Sequence, residues 1–166
     1  MKKRLLIIFF LVLIKVAQAQ AGGDSAWSMH AGILYSKFGT GSKIFSGLDL
    51  KAGYDLGKLW QAGLNLQLLM LDDNNVSPYT LIGGGPYLRF NPGRITMDLS
   101  GTAVSGTRKK ETITLYTTRI SIGAINKMAE KIFLNPQAFF QYEYATGRGQ
   151  TSTIRPGILL AVLYHF

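Results

Sequence analysis

Apolar and polar residues alternate one for one along most of the chain. Residues 46–56 show the pattern clearly. One face of this segment carries the apolar residues Leu48, Leu50, Ala52, Tyr54 and Leu56. The other face carries small or polar residues, namely Gly47, Asp49, Lys51, Gly53 and Asp55. A period of two predicts β-strands whose two faces meet different surroundings.

Eight such strands are predicted. They cover about residues 27–38, 46–56, 60–70, 79–90, 94–103, 112–123, 132–144 and 154–166. Gly57-Lys58 and Asn91-Pro92-Gly93 are typical of tight turns between neighbouring antiparallel strands. The link from Ala124 to Lys131 leaves two interpretations open, a turn or a single helical segment. The pattern therefore predicts an all-β fold, an eight-stranded antiparallel up-and-down β-barrel.

The links between the predicted strands differ in length. Two of the three links after even-numbered strands are tight turns, whereas three of the four after odd-numbered strands are longer and polar, at about residues 71–78, 104–111 and 145–152. An even number of strands places both termini at one end, and in membrane barrels the short turns face the periplasm. We therefore expect periplasmic N- and C-termini and longer outer loops.

The first residues have the three parts of a secretory signal peptide. Basic residues 2–4 precede an apolar run, 5–14, and Ala17-Gln18-Ala19 precedes Gln20. The run is about half as long as a membrane-spanning helix, which favours cleavage after Ala19 over an uncleaved anchor. We expect a signal peptide at 1–19 and a barrel domain at 20–166. Residues 1–19 hold four of the 18 basic residues and none of the nine acidic ones, which leaves a net charge of +5. This charge forms no basic block and does not indicate nucleic-acid binding.

Aromatic residues favour a membrane barrel over a soluble one. A lipocalin-like soluble carrier would bury its apolar face and expose its polar face to water. Here the aromatic residues of the apolar face cluster near strand ends, as in the interfacial girdles of membrane barrels. They are Trp60, Phe90, Tyr116, Phe140, Tyr142, Tyr144, Tyr164 and Phe166. We therefore predict a transmembrane barrel, with the soluble ligand carrier as the alternative.

The last predicted strand ends in Tyr164-His165-Phe166, preceded on the same face by Ile158, Leu160 and Val162. This ending resembles the C-terminal signal by which outer-membrane barrels are recognised for insertion. With the signal peptide and the strand count, residues 20–166 resemble the OmpA/OmpX-type superfamily of small outer-membrane β-barrels, often described as porin-family proteins. The resemblance implies the outer membrane of a Gram-negative bacterium. It also implies two kinds of partner, the barrel-assembly machinery and outer-membrane lipids with lipopolysaccharide.

The polar face of the predicted strands contains many charges. An eight-stranded barrel is just wide enough for side chains to fill its interior, so these charges must pair with one another or meet water. The predicted lumen charge network consists of Asp49, Lys51, Asp55, Arg89, Arg94, Asp98, Arg119, Glu143 and Arg155. We expect this network to fill the lumen. A selective ion path is the alternative.

The sequence gives little support for catalysis or metal binding. Acyl hydrolases and acyltransferases that modify lipid A are built on small barrels, but the chain has only His30 and His165 and no motif typical of those enzymes. We expect no catalysis, no cofactor and no metal. Arg108, Lys109 and Lys110 form the densest basic cluster beyond the signal peptide. They suit contact with lipopolysaccharide phosphates, although solvation of a surface loop is the simpler explanation.

The sequence thus predicts a small integral outer-membrane barrel with a charge-filled lumen. Its role is structural and membrane-stabilising, or that of an interaction subunit with a protein partner at the outer loops. The alternatives are a narrow pore for small solutes, a lipid A-modifying enzyme and a soluble carrier.

Overall fold

A computed structural model describes residues 27–38, 43–73, 76–108, 111–146 and 151–166. The signal peptide predicted at 1–19 lies outside this range. The described chain contains eight long strands, which we number in chain order. They are β1 Trp27–Phe38, β2 Lys43–Asp55, β3 Trp60–Asp73, β4 Val76–Phe90, β5 Ile95–Arg108, β6 Glu111–Ala124, β7 Ile132–Thr146 and β8 Thr151–His165.

The eight strands form one closed antiparallel sheet. Each strand pairs with the next along the chain, and β8 returns to pair with β1 through contacts such as Leu34 with Leu159. Closure gives both edges of the sheet a hydrogen-bonding neighbour. The fold is therefore the predicted eight-stranded up-and-down transmembrane β-barrel. No helix with the length and apolar character of a membrane span occurs in the described part of the chain.

Tight turns join β2 to β3 and β4 to β5 at the end of the barrel where β1 begins and β8 ends, which we call the terminal end. Gly57 and Gly93 adopt φ angles of 85° and 78°, a conformation that residues with a side chain rarely adopt. In the link that the sequence left open, the two-residue strand Asn126–Lys127 pairs with Leu134 and Phe133 of β7. This link is a short extension of the hairpin, and the helical interpretation is wrong.

At the opposite end, the far end, the strands run further than predicted. β3 ends at Asp73 and β4 begins at Val76, while β5 ends at Arg108 and β6 begins at Glu111. Only two residues remain for each of these links, so the prediction of longer outer loops is wrong for them. Ser and Thr residues that suggested loops extend the ladder instead, as where Thr107 pairs with Thr112.

The outward face of the barrel is apolar. Phe140 exposes 65 % of its surface, Ile120 62 % and Ile158 62 %, and they lie on three different strands. Aromatic pairs border this face near the terminal end, where Trp27 contacts Tyr54 and Trp60 contacts Phe90. A soluble barrel would leave this surface in water, so the lipocalin-like alternative is wrong and the surface suits a lipid environment.

Candidate functional site

The interior of the barrel consists of two layers with different chemistry. The charged layer lies toward the terminal end and contains His30, Asp49, Lys51, Arg89, Asp98 and Arg119, all buried. The apolar layer contains Leu34, Leu69, Leu81, Val104, Leu115, Phe139, Leu159 and Ala161. Most of it lies toward the far end, whereas Ala161 lies nearer the terminal end of β8. Both layers use inward positions of the same alternating strands, so one closed sheet positions them above one another.

Asp98 is the centre of the charged layer. Its carboxylate accepts a hydrogen bond from Lys51 Nζ at 2.6 Å and two from Arg89, at 2.5 Å from Nε and 2.6 Å from Nη2. Gln137 Nε2 adds a longer contact of 3.3 Å. The register places Asp98 directly opposite Arg89 on the neighbouring strand, which is why the pair meets side by side. A carboxylate with this many donors is well compensated although it is buried.

Arg89 also joins the layer to β1. Its Nη1 lies within hydrogen-bond distance of both ring nitrogens of His30 and is the donor, because a guanidinium only donates. The ring of Tyr87 lies 5.4 Å from Lys51 Nζ and 5.9 Å from the Arg89 guanidinium carbon. Tyr87 donates its hydroxyl proton to Gln61 Oε1 at 2.9 Å. Gly53 makes room for that hydroxyl, because a Cβ at Gly53 would collide with it.

Asp49 and Arg119 form the second ion pair of the charged layer, through Arg119 Nη2. Asn65 and Gln67 donate to the same carboxylate oxygen at 3.4 and 3.3 Å. The Arg119 guanidinium also lies over the ring of Phe139, 5.5 Å from its centre. Phe139 belongs to the apolar layer, so Arg119 marks the border between the two layers.

Hydroxyl groups lie at the same border. Thr102 and Thr117 face each other across β5 and β6 with their Oγ1 atoms 2.5 Å apart. Thr102 also donates to Gln67 Oε1 at 3.3 Å. One step further along these strands, Val104 pairs with Leu115 and the interior becomes apolar. The change from polar to apolar therefore occurs within two residues.

The structure places the predicted lumen charges in three groups. Asp49, Lys51, Arg89, Asp98 and Arg119 meet in the charged layer. Glu143 and Arg155 form a separate pair, with 2.7 Å from Arg155 Nε to Glu143 Oε2, and Gln141 donates to Glu143 at 3.0 Å. Asp55 is half-buried near the terminal end and accepts from Gln61 Nε2 at 2.7 Å.

The assignment of Arg94 to the lumen is wrong. Arg94 lies in the turn after Gly93, is exposed, and precedes β5, which begins at Ile95. The turn takes one residue more than predicted, so the alternation starts after Arg94. Its carbonyl still accepts a hydrogen bond from the Ile125 amide at 2.7 Å.

Sequence reasoning missed the apolar layer. It placed the amide residues on the polar face of their strands, but the predicted lumen network named only the charged residues. Gln61, Asn65, Gln67, Asn135, Gln137 and Gln141 are all buried. Runs that are apolar on both faces, such as Leu68 to Leu71 and Leu159 to Leu163, carry the signal for an apolar interior. Among their odd-numbered members, Leu69, Leu159, Ala161 and Leu163 are buried and Leu71 is half-buried.

The predicted insertion signal and the basic cluster fall in different places. Ile158, Leu160, Val162 and Tyr164 face outward, and the ring of Tyr164 lies 5.0 Å from that of half-buried Phe166. Lys109 and Lys110 lie outside the described residues, as does the side chain of Arg108. Contact with lipopolysaccharide therefore stays a prediction.

The two layers fill the lumen in different ways. The charged layer does so with ion pairs and amide contacts, and the apolar layer with packed hydrocarbon. Across the described residues, no group of three or more His, Cys, Asp or Glu side chains could hold a metal ion. His30 contacts Arg89, whereas His165 packs against Phe133 at 5.3 Å between ring centres.

Comparison with known proteins finds likeness in structure alone. No family model matches the chain, and no curated protein matches it. Similar solved structures include the neisserial surface protein A, with 18% identity, a TM-score of 0.52, and 87% of this chain and 99% of that chain covered. The outer-membrane protein AlkL in lipid bilayers gives 9% identity, a TM-score of 0.46, and coverage of 88% and 92%.

A third similar structure is a transmembrane β-barrel designed de novo, with 10% identity, a TM-score of 0.43, and coverage of 87% and 98%. Among the three, the likeness to neisserial surface protein A supports a shared fold, because its TM-score exceeds those of the other two. Together with the outward apolar surface, it shows that this chain has the fold of a small outer-membrane β-barrel.

Proposed function

We propose that the protein is a structural, membrane-stabilising barrel of the outer membrane whose lumen is closed to solutes. The observation that carries the proposal is the double filling of the interior. An ion-pair layer and an apolar layer follow each other along the barrel axis, and Leu34, Leu69 and Val104 have no exposed surface at all. A solute would have to displace both layers.

Conductance in planar lipid bilayers tests the proposal. The refolded wild-type barrel should show no discrete current steps. A variant that weakens both layers, Leu81→Ala with Arg119→Ala, should show them, because it removes one large buried side chain from each. Wild-type steps of uniform size would contradict the closed lumen. The single variants serve as controls, since each leaves the other layer complete.

A narrow pore for small solutes is the second candidate. The polar half of the interior favours it, since buried amides such as Asn65 and Gln141 each keep one atom without a protein partner and can bind water. In that case the wild type conducts, and Arg119→Ala changes ion preference. If the barrel is closed, the wild type carries no current and therefore has no ion preference. Arg119→Ala then lowers the stability of the barrel.

The cellular setting belongs to the same proposal. The proposal includes membership of the OmpA/OmpX-type barrels, periplasmic termini and insertion by the barrel-assembly machinery. The outward aromatic residue near the end of β8, Tyr164, supports it. The double variant Tyr164→Ala, Phe166→Ala should reduce the folded barrel in cell membranes while it still refolds in detergent. Tyr35→Ala, an outward aromatic on β1, is the control. Equal loss in both variants would argue against a role in recognition.

The far end is the surface offered to lipopolysaccharide or a protein partner. Outward residues there change from apolar to hydroxyl, with Ser105, Thr107, Thr112 and Ser152 all exposed. Such a surface suits water or lipid headgroups better than acyl chains.

Removal of the protein from cells should raise uptake of a hydrophobic dye, and the wild-type gene should restore the barrier. The absence of catalysis remains part of the proposal.

A further inference from the structure

Exposed cations occur in each of the three turns of the terminal end. These turns are residues 56–59, 91–94 and 125–131, and we call them together the basic rim. Their cations are Lys58, Arg94, Lys127 and Lys131, all exposed. Glu130 is the one acidic residue of the three turns. The basic rim is therefore strongly positive.

Backbone hydrogen bonds hold neighbouring turns of the basic rim side by side. The amide of Asn91 donates to the carbonyl of Leu59 at 2.7 Å, and the amide of Ile125 donates to the carbonyl of Arg94 at 2.7 Å. Two strand spacings separate one turn from the next, which is about 10 Å along the sheet. The fold therefore presents the cations in a row at a defined spacing.

The cations of the basic rim differ from those of the charged layer, because they have no counter-charge. In the lumen, Lys51, Arg89 and Arg119 each meet a carboxylate. Within the part of the chain that the structure describes, no ion pair involves a cation of the basic rim. Solvation by water alone would explain an isolated surface lysine. The neighbours of these cations decide whether water is the surrounding medium.

Large apolar residues lie beside the cations in the same turns. Leu56 exposes 54 % of its surface, Leu59 45 % and Met128 66 %. Trp60 follows Leu59, faces outward, and packs against Phe90 with 4.7 Å between ring centres. This combination suits the boundary of a membrane, where apolar side chains enter the hydrocarbon and cationic groups reach the headgroups. Water alone would favour neither the leucines nor Met128 at these positions.

We propose that the basic rim binds the phosphate headgroups of anionic glycerophospholipids in the leaflet around it. A phosphate can accept two hydrogen bonds from a guanidinium such as that of Arg94, and a lysine ammonium binds it as a point charge. The choice of glycerophospholipid over lipopolysaccharide rests on the proposed periplasmic orientation of the termini. The binding itself does not depend on whether the lumen is closed.

Tryptophan fluorescence tests the proposal at the basic rim itself. Trp27 and Trp60 are the two tryptophans of the chain, and both lie at the terminal end. Trp27→Phe leaves Trp60 alone, two residues from Lys58. The full barrel with this substitution, the parent barrel, is refolded in phosphatidylcholine vesicles. These contain a small fraction of brominated phosphatidylglycerol or, in parallel, of brominated phosphatidylcholine. Bromine atoms in the acyl chains quench tryptophan on contact.

The anionic lipid should quench Trp60 more than the zwitterionic lipid does. We expect about fivefold tighter binding beside Trp60, the effect of one cation near an anionic headgroup. High salt should reduce this preference, because the charges are exposed and therefore screened. Equal quenching by the two lipids in the parent barrel at low salt would overturn the proposal. The cations of the basic rim would then be solvated or would serve an acidic partner in water.

Two matched double variants of the parent barrel separate local binding from total charge. Lys58→Gln with Arg94→Gln removes the cations nearest to Trp60 and should abolish the preference. Lys127→Gln with Lys131→Gln removes the same charge from the opposite side of the barrel and should retain most of it. Gel mobility without boiling checks that each variant is folded. Equal loss in the two double variants would overturn the proposal in favour of a general surface charge. Neither result bears on conductance, so failure here is distinct from failure of the closed lumen.

Discussion

The charged and apolar layers occupy the same inward face of the same strands, but they fill the lumen in different ways. The charged layer does so by giving each charge a partner at a defined distance, as Asp98 does for Lys51 and Arg89. The apolar layer relies on van der Waals contact between side chains such as Leu69 and Leu81. Such contact, unlike a hydrogen bond, does not depend on the direction of approach. The same barrel therefore allows a direct comparison of packing by ion pairs with packing by apolar contact.

The comparison predicts different tolerance to change. Removal of one partner in the charged layer leaves a buried charge unpaired, and the cost of keeping that charge out of water is no longer offset by a partner. Removal of carbon atoms from the apolar layer costs the lost transfer free energy and a cavity, and neighbours can relax into part of the space. Substitutions of equal size should therefore cost more in the charged layer.

Asp98→Asn should have the largest effect. The side chain keeps its shape but loses its charge, so Lys51 and Arg89 lose their shared carboxylate. We expect the free energy of unfolding to fall by about 4 kcal/mol, within the range for breaking a buried pair. Urea unfolding of the barrel in vesicles measures it. Asp55→Asn is the matched control, and a similar loss there would show that burial of the pair is not the cause.

Leu81→Ala should follow. Leu81 is 1 % exposed and packs within the apolar layer, so truncation leaves a cavity that water does not readily fill. We expect a loss of about 3 kcal/mol in the free energy of unfolding. Leu81→Met keeps the volume and should cost under about 1.5 kcal/mol. If both variants cost the same, the apolar layer is not packed around Leu81.

Period two in the sequence predicts which face of each strand points inward, and it does so correctly for Asp49, Lys51, Arg89, Asp98 and Arg119. The same pattern predicts the limits of β1, Trp27–Phe38, as the structure has them. Both properties are local, because alternation is a consequence of backbone geometry within one strand.

The division into two layers is not local. Leu69, Val104 and Leu115 meet only because the register of three strand pairs, β3–β4, β4–β5 and β5–β6, brings them to one level, and alternation does not specify register. The sequence pattern also did not predict where the strands end at the far end of the barrel. Ser and Thr suit both loops and strands, and pairing such as that of Thr107 with Thr112 decides between them.

Gly53→Ala sharpens the comparison inside the charged layer. A methyl group there would collide with the Tyr87 hydroxyl and lie 2.9 Å from Gln61 Cδ, so their hydrogen bond must shift. We expect a loss of about 2 kcal/mol in the free energy of unfolding. Gly101→Ala is the control, since a Cβ there meets nothing within 4 Å. It should be neutral or stabilise by about 0.5 kcal/mol. Equal effects would mean that the space at Gly53 is not used by Tyr87.

Thr117→Val tests the border itself and should have the smallest effect. The substitution keeps the branched shape and moves the apolar surface one step toward the charged layer, where Thr117 faces Thr102. Thr102 still has Gln67 Oε1 as an acceptor at 3.3 Å, so no donor is left unpaired. We expect a loss of about 0.5 kcal/mol in the free energy of unfolding, at the low end for one hydrogen bond. Thr118→Val, at the next residue on the exposed outward face, should cost nothing in a lipid bilayer. A loss of several kcal/mol at Thr117 would place the border inside the charged network, because only an unpaired buried polar group costs that much.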